Sequence, residues 1–211
     1  MLKQIFGASV LALGLYAANP ALATFNLIQN PGFETGDFTD WTTNNFELTQ
    51  GFNQNFVGAY SPFEGNYAAI FGQEVAPLAT ISQTFTTVPG DTYDINFWLA
   101  FDTGALSDTD PNFPPQGASE YTASFDGTTL TDVNTNGLAP FNYTDFNFQQ
   151  TATSTSSDLT LGFLNYPDLF YLDNVSVTDV SAVPEPTTPV ILIVGGLVIA
   201  GLMLRRRAIV R

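Results

Sequence analysis

The sequence of 211 residues contains no cysteine and no histidine. It therefore cannot form disulfide bonds, and it cannot build a zinc site from the usual Cys and His ligands. Nucleophilic catalysis by a Ser–His or Cys–His pair is excluded for the same reason. Chemistry in the central part of the chain is left to carboxylates, hydroxyls and amides, because that part also lacks bases.

Lysine and arginine are confined to the two ends of the chain. The five basic residues are Lys3, Arg205, Arg206, Arg207 and Arg211. Every one of the 20 acidic residues except Glu185 lies between positions 24 and 183. A region without bases cannot neutralise phosphates, so nucleic acids and anionic lipid headgroups are excluded as its partners. A carboxylate buried in this region must be satisfied by backbone amides, hydroxyls or a cation.

Helical periodicity is hard to find between residues 24 and 183. The recurring pattern is an alternation of period two, interrupted by Gly, Pro, Asn and Asp. About eight or nine short strands without helices predict an all-β fold, an antiparallel β-sandwich over residues 24–180. Tight turns are expected at 88–91 and 126–127. The predicted strands cover residues 25–30, 46–50, 67–71, 79–86, 93–101, 121–125, 142–150, 159–164 and 170–177.

Residues 1–23 have the features of a secretory signal peptide. Lys3 provides a basic start, and the apolar run from Ile5 to Ala18 is too short to span a bilayer. Ala21-Leu22-Ala23 then offers a small-x-small cleavage site. We expect export through the inner membrane and a mature chain that begins at Thr24.

The C-terminal part predicts a single transmembrane helix over 189–204. It follows a proline-stiffened linker, 181–188, that contains Pro184-Glu185-Pro186, and the 18 residues between Pro186 and Arg205 carry no charge. As a helix they reach roughly 27 Å, about enough for a bilayer core of about 30 Å. The tail 205–211, with Arg205, Arg206 and Arg207, is expected in the cytoplasm. A buried core helix is disfavoured because the run is apolar on every face.

This C-terminal arrangement resembles the PEP-CTERM sorting signal, which has a Pro-Glu-Pro triplet, one membrane span and a short basic tail in that order. In that family an exosortase, a membrane transpeptidase, is thought to cut near the triplet and to pass the protein to the cell exterior. The resemblance implies an exosortase-type processing enzyme as a partner. It also implies transient anchoring by the helix, followed by a location at the cell surface or outside the cell.

Three segments resemble galactose-binding-like jelly rolls, many of which are carbohydrate-binding modules. They are Asn26–Gly36 with Trp41 shortly after, Ile81–Phe85 followed by Pro89–Tyr93, and Tyr171–Val177. In that family a structural calcium is often held by the early Glu and the late Asp. The resemblance therefore implies Glu34 and Asp173 as calcium ligands, with backbone carbonyls near Gly32. The alternative is that Glu34 caps a turn and Asp173 is a plain surface carboxylate.

Trp98 is the first candidate for sugar binding, together with Asp94 and Asn96. These three share the polar face of the strand 93–101, and sugars are held by an aromatic ring flanked by planar polar groups. The alternative is that strands or loops cover Trp98. Other aromatic residues in predicted loops could serve instead, namely Phe56, Tyr60, Phe113 and Tyr166.

The segment Asp108–Asn112 spaces oxygen side chains at alternate positions, as a calcium loop does. The glycine that an EF-hand places next is Phe113, and its bidentate glutamate is Ser119. We expect a solvated acidic loop.

Together these features predict an exported cell-surface or extracellular-matrix protein that acts as a non-catalytic binding or structural module. The alternative is a dedicated carbohydrate-binding module for an extracellular polysaccharide. The third class is a carboxylate-dependent glycan hydrolase. Hydrolysis needs two carboxylates at a set separation, one of them held protonated, and no such pair is singled out by the sequence. We therefore assign no catalytic residue.

Overall fold

The computed structural model describes residues 25–46, 55–73, 76–102, 118–165 and 168–181. The predicted signal peptide, the Pro-Glu-Pro linker, the transmembrane helix and the basic tail lie outside these ranges. The acidic loop 108–112, Phe113 and Tyr166 also lie outside them. Within the described ranges, no helix is long and apolar enough to cross a membrane.

The described residues form ten strands in two five-stranded sheets. Sheet A has the order β1-β4-β9-β6-β7 and sheet B the order β2-β3-β10-β5-β8, and neighbouring strands are antiparallel. The predicted antiparallel sandwich is confirmed. The strands are β1 (Thr42–Asn44), β2 (Phe56–Gly58), β3 (Ala68–Phe71), β4 (Ala79–Thr86), β5 (Thr92–Asp102), β6 (Ala118–Phe125), β7 (Thr128–Asn136), β8 (Phe141–Thr151), β9 (Ser156–Leu164) and β10 (Leu169–Asp179).

Strands with clear alternation were predicted well. The bounds of β4 match the prediction, and its alternate residues Ile81, Gln83 and Phe85 are buried. The turn before β5 is confirmed by the hydrogen bond from the Asp91 amide to the Val88 carbonyl, 3.1 Å. The turn between β6 and β7 is also confirmed. Asp126 and Gly127 have φ of 49° and 71°, the left-handed pair that a two-residue hairpin favours.

The predicted strand 25–30 is wrong. This segment runs beside β10, and the Leu27 amide donates to the Val177 carbonyl at 2.9 Å. The Asn26 side chain, however, takes the place of a regular ladder. Its Oδ1 accepts from the Ile28 and Val177 amides, and its Nδ2 donates to the Val175 carbonyl. The polar side chain therefore competes with the backbone for the partners a strand would use.

Three strands were not predicted, and one prediction is only partly described. β2 pairs with β3 and contains Phe56, which was expected in a loop. β1 pairs with β4, and β7 follows the predicted turn. β1 and β7 are rich in Thr and Asn and mostly exposed, so they lack the apolar alternation that marks a half-buried strand. Of the predicted strand 46–50 only Phe46 is described, and it belongs to no strand.

The core is built mainly from aromatic rings that join the two sheets. Phe71 of sheet B stacks on Phe163 of sheet A, with ring centroids 4.1 Å apart, and Phe170 lies 5.6 Å from Phe163. All three are buried. Alternate residues of β5 point into this core, and the residues between them lie on the outer face of sheet B. The candidate site is on that outer face.

Candidate functional site

The outer face of sheet B carries the residues of β5 that alternate with its core residues. Register places Tyr171 of β10 opposite Ala100, and Asp173 opposite Trp98. On the other side, Asp145 of β8 is opposite Trp98, and Tyr143 comes two positions before it. Aromatic and carboxylate side chains from three adjacent strands thus share one face. The β5 residues on this face are Asp94, Asn96, Trp98, Ala100 and Asp102.

A loop, residues 61–66, folds over part of this face because Asp173 binds its backbone. Asp173 Oδ2 accepts from the Phe63 amide at 2.8 Å and from the Glu64 amide at 3.1 Å. The Phe63 ring then stacks on Trp98, with centroids 3.9 Å apart and an interplanar angle of 12°. It also contacts Tyr143, at 5.4 Å between centroids.

The three residues predicted for sugar binding share one face, as expected, but their groups are engaged within the protein. Phe63 covers one side of the Trp98 indole, so this ring is not an open platform. Asp94 accepts a hydrogen bond from Gln149 Nε2 at 2.7 Å, and Asn96 Nδ2 donates to Asp145. The alternative in which a loop covers Trp98 agrees with this geometry. Binding of a sugar by these residues stays a prediction.

Beside the covered tryptophan lies an open slot of about 650 Å³. Ala100 is among its lining residues, and its small side chain leaves space between Tyr171 of β10 and Tyr143 of β8. Polar groups are contributed by Ser61, Asp102 and Asn142. We call this cavity the tyrosine slot. Its remaining lining residues are Phe101, Pro140 and Phe141.

Both tyrosines that line the slot have a pKa above the ordinary value. Burial raises the pKa of Tyr143, and the nearby Asp173 carboxylate and Tyr171 raise it further. Burial and the Asp102 carboxylate raise the pKa of Tyr171. The Tyr143 hydroxyl is buried and has no hydrogen-bond partner among the described residues. The nearby Phe63 amide already donates to Asp173.

Sequence reasoning singled out the outer face of β5 at Trp98, Asp94 and Asn96, and the tyrosine slot lies further along the same face, towards the end of β5. Asp102 lies four residues beyond Trp98 and therefore on the same face. Tyr171 lies between the buried residues Phe170 and Leu172 of β10, so the alternation of the strand places it on the outer face. The alternation of β8 was visible as well. No local pattern showed, however, that Tyr143 and Tyr171 line one slot.

A second cavity, of about 460 Å³, brings together the predicted metal ligands Glu34 and Asp173. Glu34 Oε1 accepts from the Asn66 and Tyr67 amides at 2.8 and 3.0 Å, and Oε2 from the Asn66 side chain at 3.1 Å. Asp173 Oδ1 accepts from the Asn174 amide at 2.7 Å. The cavity is lined by Asn30, Pro31, Gly32, Glu34, Thr35, Glu64, Gly65, Asp173 and Asn174.

Electrostatics differ between the two carboxylates of this cavity. Hydrogen bonds from the Asn66 and Tyr67 amides lower the pKa of Glu34, so this residue does bind a turn, as the alternative expected. Asp173 is fully buried and is not a surface carboxylate. Burial raises the pKa of Asp173, its three backbone hydrogen bonds oppose this, and the Glu34 charge adds to the increase. Because burial and the Glu34 charge both disfavour a negative charge on Asp173, a cation bound nearby would be favourable.

The donor set is compatible with calcium as a partial shell. Each carboxylate has about four acceptor positions, and Glu34 and Asp173 each use three for N–H groups. About one position remains on each, so backbone carbonyls or waters would have to supply most of the six to eight oxygens that calcium takes. Among the described residues, no group of three or more carboxylates could hold a metal ion by itself.

Comparisons of the sequence give no relative: no model of a known family matches it, and no curated protein matches it either. Comparison of the structure with solved structures does find similar proteins. A family 61 carbohydrate-binding module, TmCBM61, solved in complex with β-1,4-galactotriose, superposes with a TM-score of 0.52 at 20% identity, over 74% of this chain and 99% of that one. At 20% identity this likeness shows the fold alone, a two-sheet β-sandwich shared with that module.

Two other solved structures have similar scores. The enzymatically active domain of bacteriophage CBA120 tailspike protein 4 matches with a TM-score of 0.50 at 12% identity, over 74% of this chain and 21% of that one. The CBM22-1 xylan-binding domain of Paenibacillus barcinonensis Xyn10C matches with a TM-score of 0.49 at 16% identity, over 77% and 99%. At these identities the likeness to TmCBM61 and to the tailspike domain shows the sandwich fold alone, and function has to be argued from the site itself.

Proposed function

We propose that this protein is a non-catalytic carbohydrate-binding module that takes a sugar residue of a polysaccharide into the tyrosine slot. One observation carries the proposal. Tyr143 and Tyr171, from the two strands that pair with β5, line one open slot together with the small residue Ala100. Sugar rings present apolar C–H faces that pack on aromatic rings, and their hydroxyls need polar partners close by.

The size and lining of the slot suit this role. Its volume of about 650 Å³ is within the usual range for small-molecule sites, which runs from about 300 to 1,000 Å³. Asp102 and Asn142 offer planar polar groups, and Ser61 adds a hydroxyl. The Tyr143 hydroxyl is buried, so this residue offers the slot its ring rather than its hydroxyl. The fold shared with TmCBM61, whose structure holds a galactotriose, supports the same proposal.

A binding role is favoured over hydrolysis by the acids near the slot. Glycoside hydrolysis uses a pair of carboxyl groups on either side of the scissile bond. Asp102 is the one carboxylate among the described residues that line the slot. Histidine, cysteine and bases are absent from residues 24–183. The slot therefore offers recognition without an evident acid–base pair.

Binding is tested by titrating neutral oligosaccharides, beginning with β-1,4-galactan and xylan fragments, into the domain in a calorimeter. We expect at least one to bind, and Tyr143→Ala and Tyr171→Ala to weaken that binding about tenfold or more, because buried tyrosines commonly dominate such contacts. Phe25→Ala serves as a control, because the Phe25 ring is 73% exposed and is not among the residues that line the slot. This variant should leave the affinity unchanged. If Trp98→Ala abolished binding while both tyrosine variants bound normally, the covered indole would be the site instead.

We propose further that the module reaches the cell surface through its predicted PEP-CTERM signal. Mass spectrometry of the mature protein should find Thr24 at the N-terminus and a C-terminus close to the Pro184-Glu185-Pro186 triplet, because an exosortase would have removed the helix and the basic tail. Recovery of intact Arg211 from the extracellular fraction would contradict this processing.

Calcium is proposed as a structural ion of the second cavity, with Glu34 and Asp173 among its ligands. Support comes from the buried Asp173 carboxylate, whose pKa is raised although three amides bind it, and from the absence of any base in residues 24–183. Calcium would supply the positive charge that the chain itself lacks there, and it would tie the loop 30–36 to β10.

A further inference from the structure

We propose that the sugar residue in the tyrosine slot is a cationic amino sugar, so that the polysaccharide recognised carries free amino groups. This inference rests on the proposed carbohydrate-binding function and specifies its ligand class. It is carried by three observations: a carboxylate inside the slot, the charge of the whole domain, and the pair of aromatic rings.

Asp102 supplies the carboxylate. It is the last residue of β5, its side chain is exposed, and it lines the slot together with Tyr171. The carboxylate is close enough to Tyr171 to raise the pKa of that hydroxyl. An ammonium group on a sugar packed against Tyr171 would therefore lie within reach of Asp102. A charge-assisted hydrogen bond between them is about twice as strong as one between neutral groups.

The charge of the domain favours the same ligand. Residues 24–183 contain every acidic residue except Glu185 and no lysine, arginine or histidine. Such a distribution produces a negative potential over the whole surface, which concentrates cations and repels anions. A uronic acid or a sulfated sugar in the slot would face Asp102 without any base to pair with its charge. The domain thus discriminates strongly against acidic polysaccharides.

The aromatic rings complete the match. Tyr143 and Tyr171 line the slot, and a cation near the face of a tyrosine ring is attracted by the ring quadrupole. Both rings are neutral at neutral pH, since the pKa of a tyrosine is ordinarily about 10 and is raised further here, so they add no negative charge to the slot. A neutral sugar would give Asp102 an ordinary hydrogen bond from a hydroxyl, whereas an amino sugar would give it a stronger, charge-assisted one.

The test compares two oligosaccharides that differ only in the charged group. β-1,4-linked glucosamine tetramer and its N-acetylated counterpart are titrated into the folded domain at 0.15 M ionic strength, with tetragalacturonate as the anionic probe. We expect the free-amine tetramer to bind about tenfold or more tightly than the N-acetylated one, and tetragalacturonate to show no binding. Equal affinity for the two glucosamine tetramers, or tighter binding of tetragalacturonate, would overturn the inference.

Variants separate recognition in the slot from general attraction of a cation to an acidic protein. Asp102→Asn should weaken binding of the amine tetramer about tenfold and change binding of the N-acetylated tetramer less than twofold. Asp132→Asn removes the same charge from an exposed position on β7, in the other sheet, and should leave both affinities unchanged. If the two variants weakened amine binding equally, the attraction would be general and the inference would fail.

The outcome also distinguishes this inference from the proposed function. A neutral oligosaccharide could bind the parent protein, fail to bind Tyr171→Ala and bind Asp102→Asn with unchanged affinity. That result would support the carbohydrate-binding function and reject the amino-sugar ligand. Absence of binding for all neutral and amino oligosaccharides would reject both. Circular dichroism of each variant shows that a loss of affinity is not a loss of fold.

Discussion

Calcium at a hundredfold excess over its dissociation constant is expected to raise the free energy of unfolding of the sandwich by about 2.7 kcal/mol. The reason is mass action: the ion binds Glu34 and Asp173 only when folding has brought the segment after Pro31 beside β10. For a domain of this size the melting temperature should increase by roughly 5–10 °C. The measurement is thermal unfolding of the domain in chelator and in graded calcium, followed by circular dichroism.

General screening is the main competing explanation, because any salt reduces repulsion among so many carboxylates. Sodium chloride at matched ionic strength should therefore produce only a small part of the shift. Glu34→Gln and Asp173→Asn should each remove the calcium response. A melting temperature that is the same in chelator and in calcium, or variants that respond like the parent, would show that the two residues act through their amide hydrogen bonds alone.

Replacement of Phe163 by alanine is expected to lower the free energy of unfolding by about 3–5 kcal/mol. The ring is 1% exposed and lies between Phe71 and Phe170 of the other sheet, so its removal leaves a cavity where the two sheets meet. The fold has no disulfide to limit the loss. Urea unfolding of the domain at constant pH and calcium measures the change.

The chain provides a matched control for this substitution. Phe25→Ala removes the same side chain at a position that is 73% exposed, and the free energy of unfolding should change by less than about 0.5 kcal/mol. Comparable losses for the two variants would mean that the stack of Phe71, Phe163 and Phe170 does not hold the sheets together.

The strands were predictable where burial of one face imposes period two. In β4 and β5 the core residues alternate with outward residues, and that pattern is visible in the sequence because it depends on neighbours only two positions apart. The same reasoning missed three edge strands: β1 and β7, which are rich in Thr and Asn, and β2, which has only three residues. It also placed a strand at 25–30, where the Asn26 side chain takes the backbone partners instead.

The candidate sites were predictable to a smaller extent. Resemblance to a family indicated Glu34 and Asp173, and the structure brings both to one cavity. Alternation placed Trp98, Asp94 and Asn96 on the outer face of sheet B. It gave no sign that Phe63 would cover Trp98, because that contact depends on an Asp173 carboxylate 110 residues from the amide it binds.

By itself, the amino-acid sequence determined the chemistry available to this protein and its division into faces. Without histidine, cysteine or bases, residues 24–183 can recognise a ligand only through oxygen atoms, amides and aromatic rings, and their alternation separates core from surface. The tertiary structure decided which surface residues meet. Tyr143 and Tyr171 line one slot with Ala100 because β8 and β10 both pair with β5, and that pairing is set by register between segments distant in the chain. Register depends on how the whole hydrophobic face is buried, which no local pattern encodes.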